Sequence, residues 1–160
     1  MSPTELFYIA IGLLLVAWTV YLDRHLFRAG GAAGGVTALE SLYYVIALAA
    51  LLVGWYFNFA YLREYGAAAG WWHWTTLLFV NPASASGGQD LIFANMILFP
   101  FWTVMDGRRC GLRASWLYFP MSLVTSFAFA MALFMAFRER QLRWNAAQGA
   151  PAVNGRTTRS

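Results

Sequence analysis

Three carboxylates, Glu40, Asp90 and Asp106, fall at the margins of long apolar runs, where a charged side chain is costly and a carboxyl group can hold its proton. A neutral carboxylic acid beside aromatic rings can protonate an apolar substrate, and the ring faces can then stabilise the resulting cation. Asp90 has no Arg within a helical turn of sequence and leads into the apolar run Leu91 to Met105. Glu40 stands one turn inside another such run, and Asp106 is followed by Arg108, Arg109 and Arg113. Each also has an ordinary structural reading. Glu40 suits a helix start, Asp90 can cap a helix after Gly87-Gly88, and Asp106 can pair with its Arg neighbours. Neutral polar groups that could meet a substrate are Asn58 beside Trp55, Asn95 in the third run, and Tyr118, Ser122 and Ser126 in the fourth.

A chain in which 60% of residues are hydrophobic, 18% aromatic and 11% charged has too little charge to cover a soluble surface, since ordinary soluble domains are roughly a quarter charged. A bilayer accepts that composition. All eleven basic residues are Arg and the formal net charge is +4, which fits headgroup anchoring, and no basic block resembles a nucleic-acid arm. The single Cys110 cannot form an internal disulfide, and no Cys/His cluster has metal-ligand spacing, so neither a metal nor another cofactor is expected.

The elements that must position these groups are apolar helices, and the fold class is all-α: an integral-membrane bundle of four transmembrane helices in the cell membrane. The spans are 6–22, 36–61, 90–106 and 114–137, within a single domain over residues 1–144. Asp23, Arg24, His25 and Arg28 mark the first exit, and Gly30 to Gly35 is a flexible connection. Residues 70–80, with Trp71, Trp72, His73 and Trp74, are too apolar for a free loop and too short to cross, so they form an interfacial helix ended by Asn81-Pro82. Ala83 to Gly88 supplies a turn. Pro100 kinks the third span. Tyr118, Ser122 and Ser126 recur every four positions and form one stripe on a continuous fourth helix. Residues 145–160 are a polar tail expected to be disordered.

Four crossings place Arg24, Arg28, Arg108, Arg109 and Arg113 on one face and Arg63, Arg138, Arg140 and Arg143 on the other. The count is nearly even. The dense loop around Arg108 favours the cytoplasm for its side, with both termini outside. Glu40 and Asp106 then share the first face, and Asn58, His73, Asn81, Asp90 and Asn95 the second.

Asn81-Pro82, Asp90, Asp106-Gly107-Arg108-Arg109, Gly111-Leu112-Arg113, Trp116 with Tyr118, Ser126-Phe127-Ala128-Phe129 and Arg138-Glu139-Arg140, together with Trp55-Tyr56-Phe57-Asn58, carry a resemblance. Over about Glu40 to Leu142 the chain resembles a widespread family of small bacterial membrane proteins classed as a domain of unknown function. That resemblance implies a fold and no activity. In character (aromatic, helical, with isolated intramembrane acids) the chain is also similar to the integral-membrane terpene cyclases that finish microbial meroterpenoids.

The second resemblance implies a metal-independent, acid-initiated cyclisation of a lipid-soluble prenylated substrate. Asp90, Glu40 or Asp106 would be the acid, and Asn58, Trp55, Asn95, Tyr118, Ser122 and Ser126 would hold the substrate. The alternative expectation is a non-catalytic membrane scaffold or lipid- or ligand-binding subunit. Membrane lipids are the expected surroundings, nucleic acid is not an expected partner, and homo-oligomerisation is left open. A proton-coupled transporter is disfavoured, because four spans without an internal repeat make little of an alternating-access device.

Overall fold

The computed structural model describes residues 1–28 and 34–149. Residues 29–33, which include part of the expected connection Gly30 to Gly35, and residues 150–160 of the tail expected from 145 lie outside the described residues. Every regular element among the described residues is helical.

Helix α1 (Pro3–Leu22) starts where the sequence provides for it. Ser2 Oγ accepts the Glu5 N–H at 3.2 Å, Glu5 Oε2 accepts the Ser2 N–H at 2.9 Å, and Pro3 fills the first turn, a reciprocal cap that satisfies otherwise orphaned donors. Helix α2 (Ala38–Tyr65) is capped by Thr37 and ends at Gly66, whose φ of 51° favours glycine. Both are long and apolar enough to cross a membrane. Helix α3 (Trp71–Leu77) is the short aromatic segment expected to lie at an interface.

The third apolar run starts earlier than expected. Helix α4 spans Pro82–Ile92, so the presumed turn Ala83 to Gly88 is helical. Asn81 is its cap: Oδ1 accepts the Ser84 N–H at 2.9 Å, with Pro82 preset at the first helical position. That start outweighs the low helix preference of the following Ser and Gly. Asp90 therefore sits inside a helix and caps nothing. A π-helical segment, Phe93–Leu98, joins α4 to helix α5 (Phe99–Cys110). The widened ladder falls just before Pro100, which lacks an N–H and crowds the preceding turn.

The expected fourth span is not one helix. Helix α6 (Tyr118–Val124) stops at Thr125, and helix α7 (Phe127–Ala147) starts from Ser126 in an extended conformation. Ser126 Oγ accepts the Phe129 N–H at 3.1 Å and donates to the Ala50 carbonyl at 3.3 Å. A serine used as an N-cap cannot also continue a helical stripe. The two helices fold back on each other: the Tyr118 ring lies 5.2 Å from that of Phe134 and 6.3 Å from that of Phe137. The segment enters and leaves by the same end.

Contacts at the far end of α7 fix this arrangement. Arg140 Nη1 donates to the Leu26 carbonyl at 3.1 Å, Arg143 Nη1 to the Gly35 carbonyl at 2.7 Å, and Asn145 Nδ2 to the Cys110 carbonyl at 2.7 Å. Arg138, Arg140 and Arg143 thus share an end with Arg24, Arg28, Arg108, Arg109 and Arg113, contrary to the partition that four crossings imply. Arg63 stands at the opposite end, where its Nε meets Glu5 Oε1 at 2.6 Å. Helix α7 carries more of the core than any other element, burying Phe129, Ala130, Leu133, Phe134, Ala136 and Phe137.

Candidate functional site

The tip of the α6–α7 hairpin stops partway along its neighbours. A Cβ added at Gly12 of α1 would stand 3.0 Å from Thr125 Cγ2, and one added at Gly54 of α2 would stand 2.7 Å from Ser126 Cβ. Small residues at these positions let the helices approach the tip closely. The broken backbone is served by side chains: Asn58 Nδ2 donates to the Thr125 carbonyl at 3.0 Å, while Ser126 caps α7 and binds Ala50. Irregular backbone of this kind is tolerated in an apolar setting only where it is buried in protein or lines a cavity.

Here it lines a cavity. Beyond the tip lies a space of about 410 Å³. Its floor is the hairpin, Ser122 to Ala128; its walls are Trp55, Asn58 and Phe59 of α2 with Leu91, Ile92, Asn95 and Met96 around the π segment. Tyr8, Tyr61, Trp71 and Trp74 also contribute. The lining is mainly apolar, with a few neutral hydrogen-bonding groups, as ligand pockets usually are. Ser122 Oγ lies 2.8 Å from Asn95 Oδ1 and 2.7 Å from the Phe119 carbonyl. A hydroxyl has one proton, so when it goes to Phe119 the Asn95 amide can turn and donate to Oγ instead. Trp55 stacks on Phe59 at 6.2 Å, and its Nε1 is buried without a hydrogen-bond partner in the structure.

Helix α3 is pinned over one side by a small polar cluster. The Tyr61 hydroxyl accepts the Gly70 N–H at 3.0 Å and stands 3.0 Å from His73 Nδ1, and the His73 ring meets Tyr65 edge-on at 4.6 Å. His73, expected only as part of an interfacial helix, thus ties that helix to the end of α2. The spacing of twelve residues from Tyr61 to His73 across a glycine-bearing turn offered the only signal.

The three acids lie elsewhere. Glu40 is fully buried, and its carboxylate accepts from Arg140 Nε at 2.6 Å, Tyr44 Oη at 3.1 Å and Arg143 Nη2. It clamps the start of α2 to the end of α7. Asp106 pairs with Arg138 in the same layer. Asp90 is exposed on α4 and accepts a hydrogen bond from the Gln89 side-chain amide, so it is not enclosed by the aromatic groups around the cavity. None of the three lines the cavity. Of the expected substrate-binding residues, Asn58, Trp55, Asn95, Ser122 and Ser126 all line it. Tyr118 does not; it is buried against Phe134 and Phe137, its hydroxyl without a partner in the structure. No group of His, Cys, Asp and Glu among the described residues could hold a metal ion.

Residues 42–140, more than half of the chain, match the family described as protein of unknown function DUF2834. The chain belongs to that family. The matched region holds the hairpin tip, the π segment and most of the cavity lining, whereas α1, which brings Tyr8 and Gly12, precedes it. No curated protein and no solved structure matches the chain.

Proposed function

We propose that this DUF2834 protein is an integral membrane protein that binds one lipid-soluble molecule in the cavity beyond the hairpin tip, without transforming it. The observation that carries this reading is the lining: a 410 Å³ apolar space with amide and hydroxyl groups and no carboxylate or basic side chain. Such a site can hold and orient an apolar molecule carrying a neutral polar group. It contains no proton donor of carboxylic strength.

The membrane reading rests on where the apolar surface lies. The apolar windows of α1 and α2 are only 17% and 6% buried, unlike those of core helices in soluble proteins. Leu13, Leu14, Val45, Leu48, Leu52 and Val53 face outward, and lipid is the solvent that makes this favourable. With α4, the π segment and α5 as a third crossing, the chain spans three times. The hairpin enters only to about half depth: Gly12, which meets its tip, is eleven residues from Asp23, or about 16 Å of helix in a hydrocarbon core of about 30 Å.

The test is binding of a geranylgeranylated aromatic probe to purified protein in nanodiscs, followed by quenching of the lining tryptophans. Asn95→Ala is expected to weaken binding about 3- to 10-fold, the scale of one hydrogen bond. Ala69→Trp, which fills the cavity, is expected to abolish it. If wild-type protein and both variants give the same signal, the cavity is not the site.

One observation favours the catalytic alternative, an acid-initiated cyclase: Asp90 directly precedes Leu91 and Ile92 of the aromatic-rich lining. Cyclised product formed by the wild type and lost in Asp90→Asn would replace the binding reading with that one.

A further inference from the structure

The hairpin and the placement of arginine together give the cavity a side. On the membrane reading proposed above, we infer that the arginine-rich end faces the cytoplasm, that the N-terminus lies on the opposite side, and that the cavity occupies the outer half of the bilayer and takes its ligand from the outer leaflet.

The sequence count of arginines was nearly even because it assumed a fourth crossing. Folding α7 back changes it decisively. Among the described residues, Arg24, Arg28, Arg108, Arg109, Arg113, Arg138, Arg140 and Arg143 gather at one end, held together by the Arg140–Leu26, Arg143–Gly35, Arg113–Asp23 and Asn145–Cys110 contacts. The other end has Arg63, already paired with Glu5. Such a bias in short loops sets membrane orientation. Arg24, Arg28, Arg108, Arg109 and Arg113 are exposed, where they suit the anionic headgroups of the cytoplasmic leaflet.

The position of the cavity follows from the same geometry. The inner half of the bundle is filled by α6 and α7, with their buried Tyr118, Phe134 and Phe137. The space beyond the tip is bounded by Tyr8 near the start of α1, Tyr61 near the end of α2, and Trp71 and Trp74 of α3. All belong to the end opposite the cluster of eight arginines. Indole rings at this level suit the headgroup boundary, and Trp72 of the same helix is 81% exposed.

Cysteine labelling of the full chain tests the inference. Ser2→Cys, Trp72→Cys and Gln148→Cys are each placed in a Cys110→Ala background and exposed to a membrane-impermeant maleimide in right-side-out and inverted vesicles. The first two are expected to react in right-side-out vesicles, and Gln148→Cys only in inverted ones. Reaction of Ser2→Cys and Gln148→Cys on the same side would overturn the half-depth hairpin and restore an even number of crossings. The mirror-image pattern would place the cavity in the inner leaflet and overturn the proposed source. Probe binding by the same variants in nanodiscs, where both faces are accessible, reads the binding proposal separately, so either proposal can fail alone.

Discussion

Glu40 shows how one residue supports both a chemical and a structural expectation until its partners are seen. At the start of an apolar run it could have been a proton donor. Buried between Arg140, Arg143 and Tyr44, it is instead the anion that pairs with the Arg140 guanidinium, itself 9% exposed on its side chain. Removing one partner of such a pair leaves the other charge uncompensated, at a cost of about 3–5 kcal/mol. Glu40→Gln is therefore expected to lower the unfolding temperature markedly in detergent. Probe binding below that temperature should persist, because the cluster lies at the end away from the cavity; loss of binding in a fully folded Glu40→Gln protein would contradict that separation.

At the scale of elements, the decisive feature is the interruption at Thr125–Ser126. It converts an apparent span into a hairpin and creates the cavity floor. Its close fit against α2 gives a prediction: Gly54→Ala puts a methyl 2.7 Å from Ser126 Cβ, nearer than atoms pack, and forces the tip or the helix to shift. Overpacking of this kind costs about 1–3 kcal/mol. The variant is expected to melt at a lower temperature and to bind the probe more weakly, since the displaced atoms belong to the floor. The equivalent methyl at Gly87, which meets nothing within 4 Å, should leave both properties nearly unchanged. The π segment before Pro100 acts on the same scale, presenting Asn95 and Met96 together to the cavity.

At the scale of the whole molecule, α1 precedes the matched family region yet is tied to it at both ends. Glu5 meets Arg63, and the buried Asp23 accepts the Arg113 N–H at 2.8 Å and the Ala114 N–H at 3.3 Å. Burial pushes the Asp23 carboxyl above its usual range, with the two backbone N–H groups pulling it back. Because that folded-state pKa is raised, the group's stabilising contribution is fully present below the ordinary value of about 3.9 and is lost as pH rises through the folded value. Asp23→Asn keeps one acceptor but turns an amide N–H toward a backbone N–H. A loss of about 1–3 kcal/mol is expected, with a flatter dependence of melting temperature on pH from acid to neutral. An unchanged pH profile would remove Asp23 from the titrating groups that matter.

Apolar periodicity and the scarcity of charge were enough to read from sequence an all-helical chain whose first two expected spans are helices long enough to cross, with a short aromatic helix after the second, and the string of matched motifs pointed to a family of unknown function. Those properties depend on residues near one another in the chain. Five of the six neutral groups expected to meet a ligand also come together, because amides and hydroxyls in apolar helices must turn inward. The surroundings of the acids were not legible: Glu40 and Asp106 are neutralised by arginines 100 and 32 residues away, and Asp90 is turned outward by a helix that begins at Asn81. Nor could sequence show that the fourth apolar run folds back on itself. Ser126 can continue a helix or cap a new one, and only the Ala50 carbonyl and Gly54 surface across the bundle decide that it caps. From that choice follow the direction of α7, the gathering of the arginines and the cavity itself.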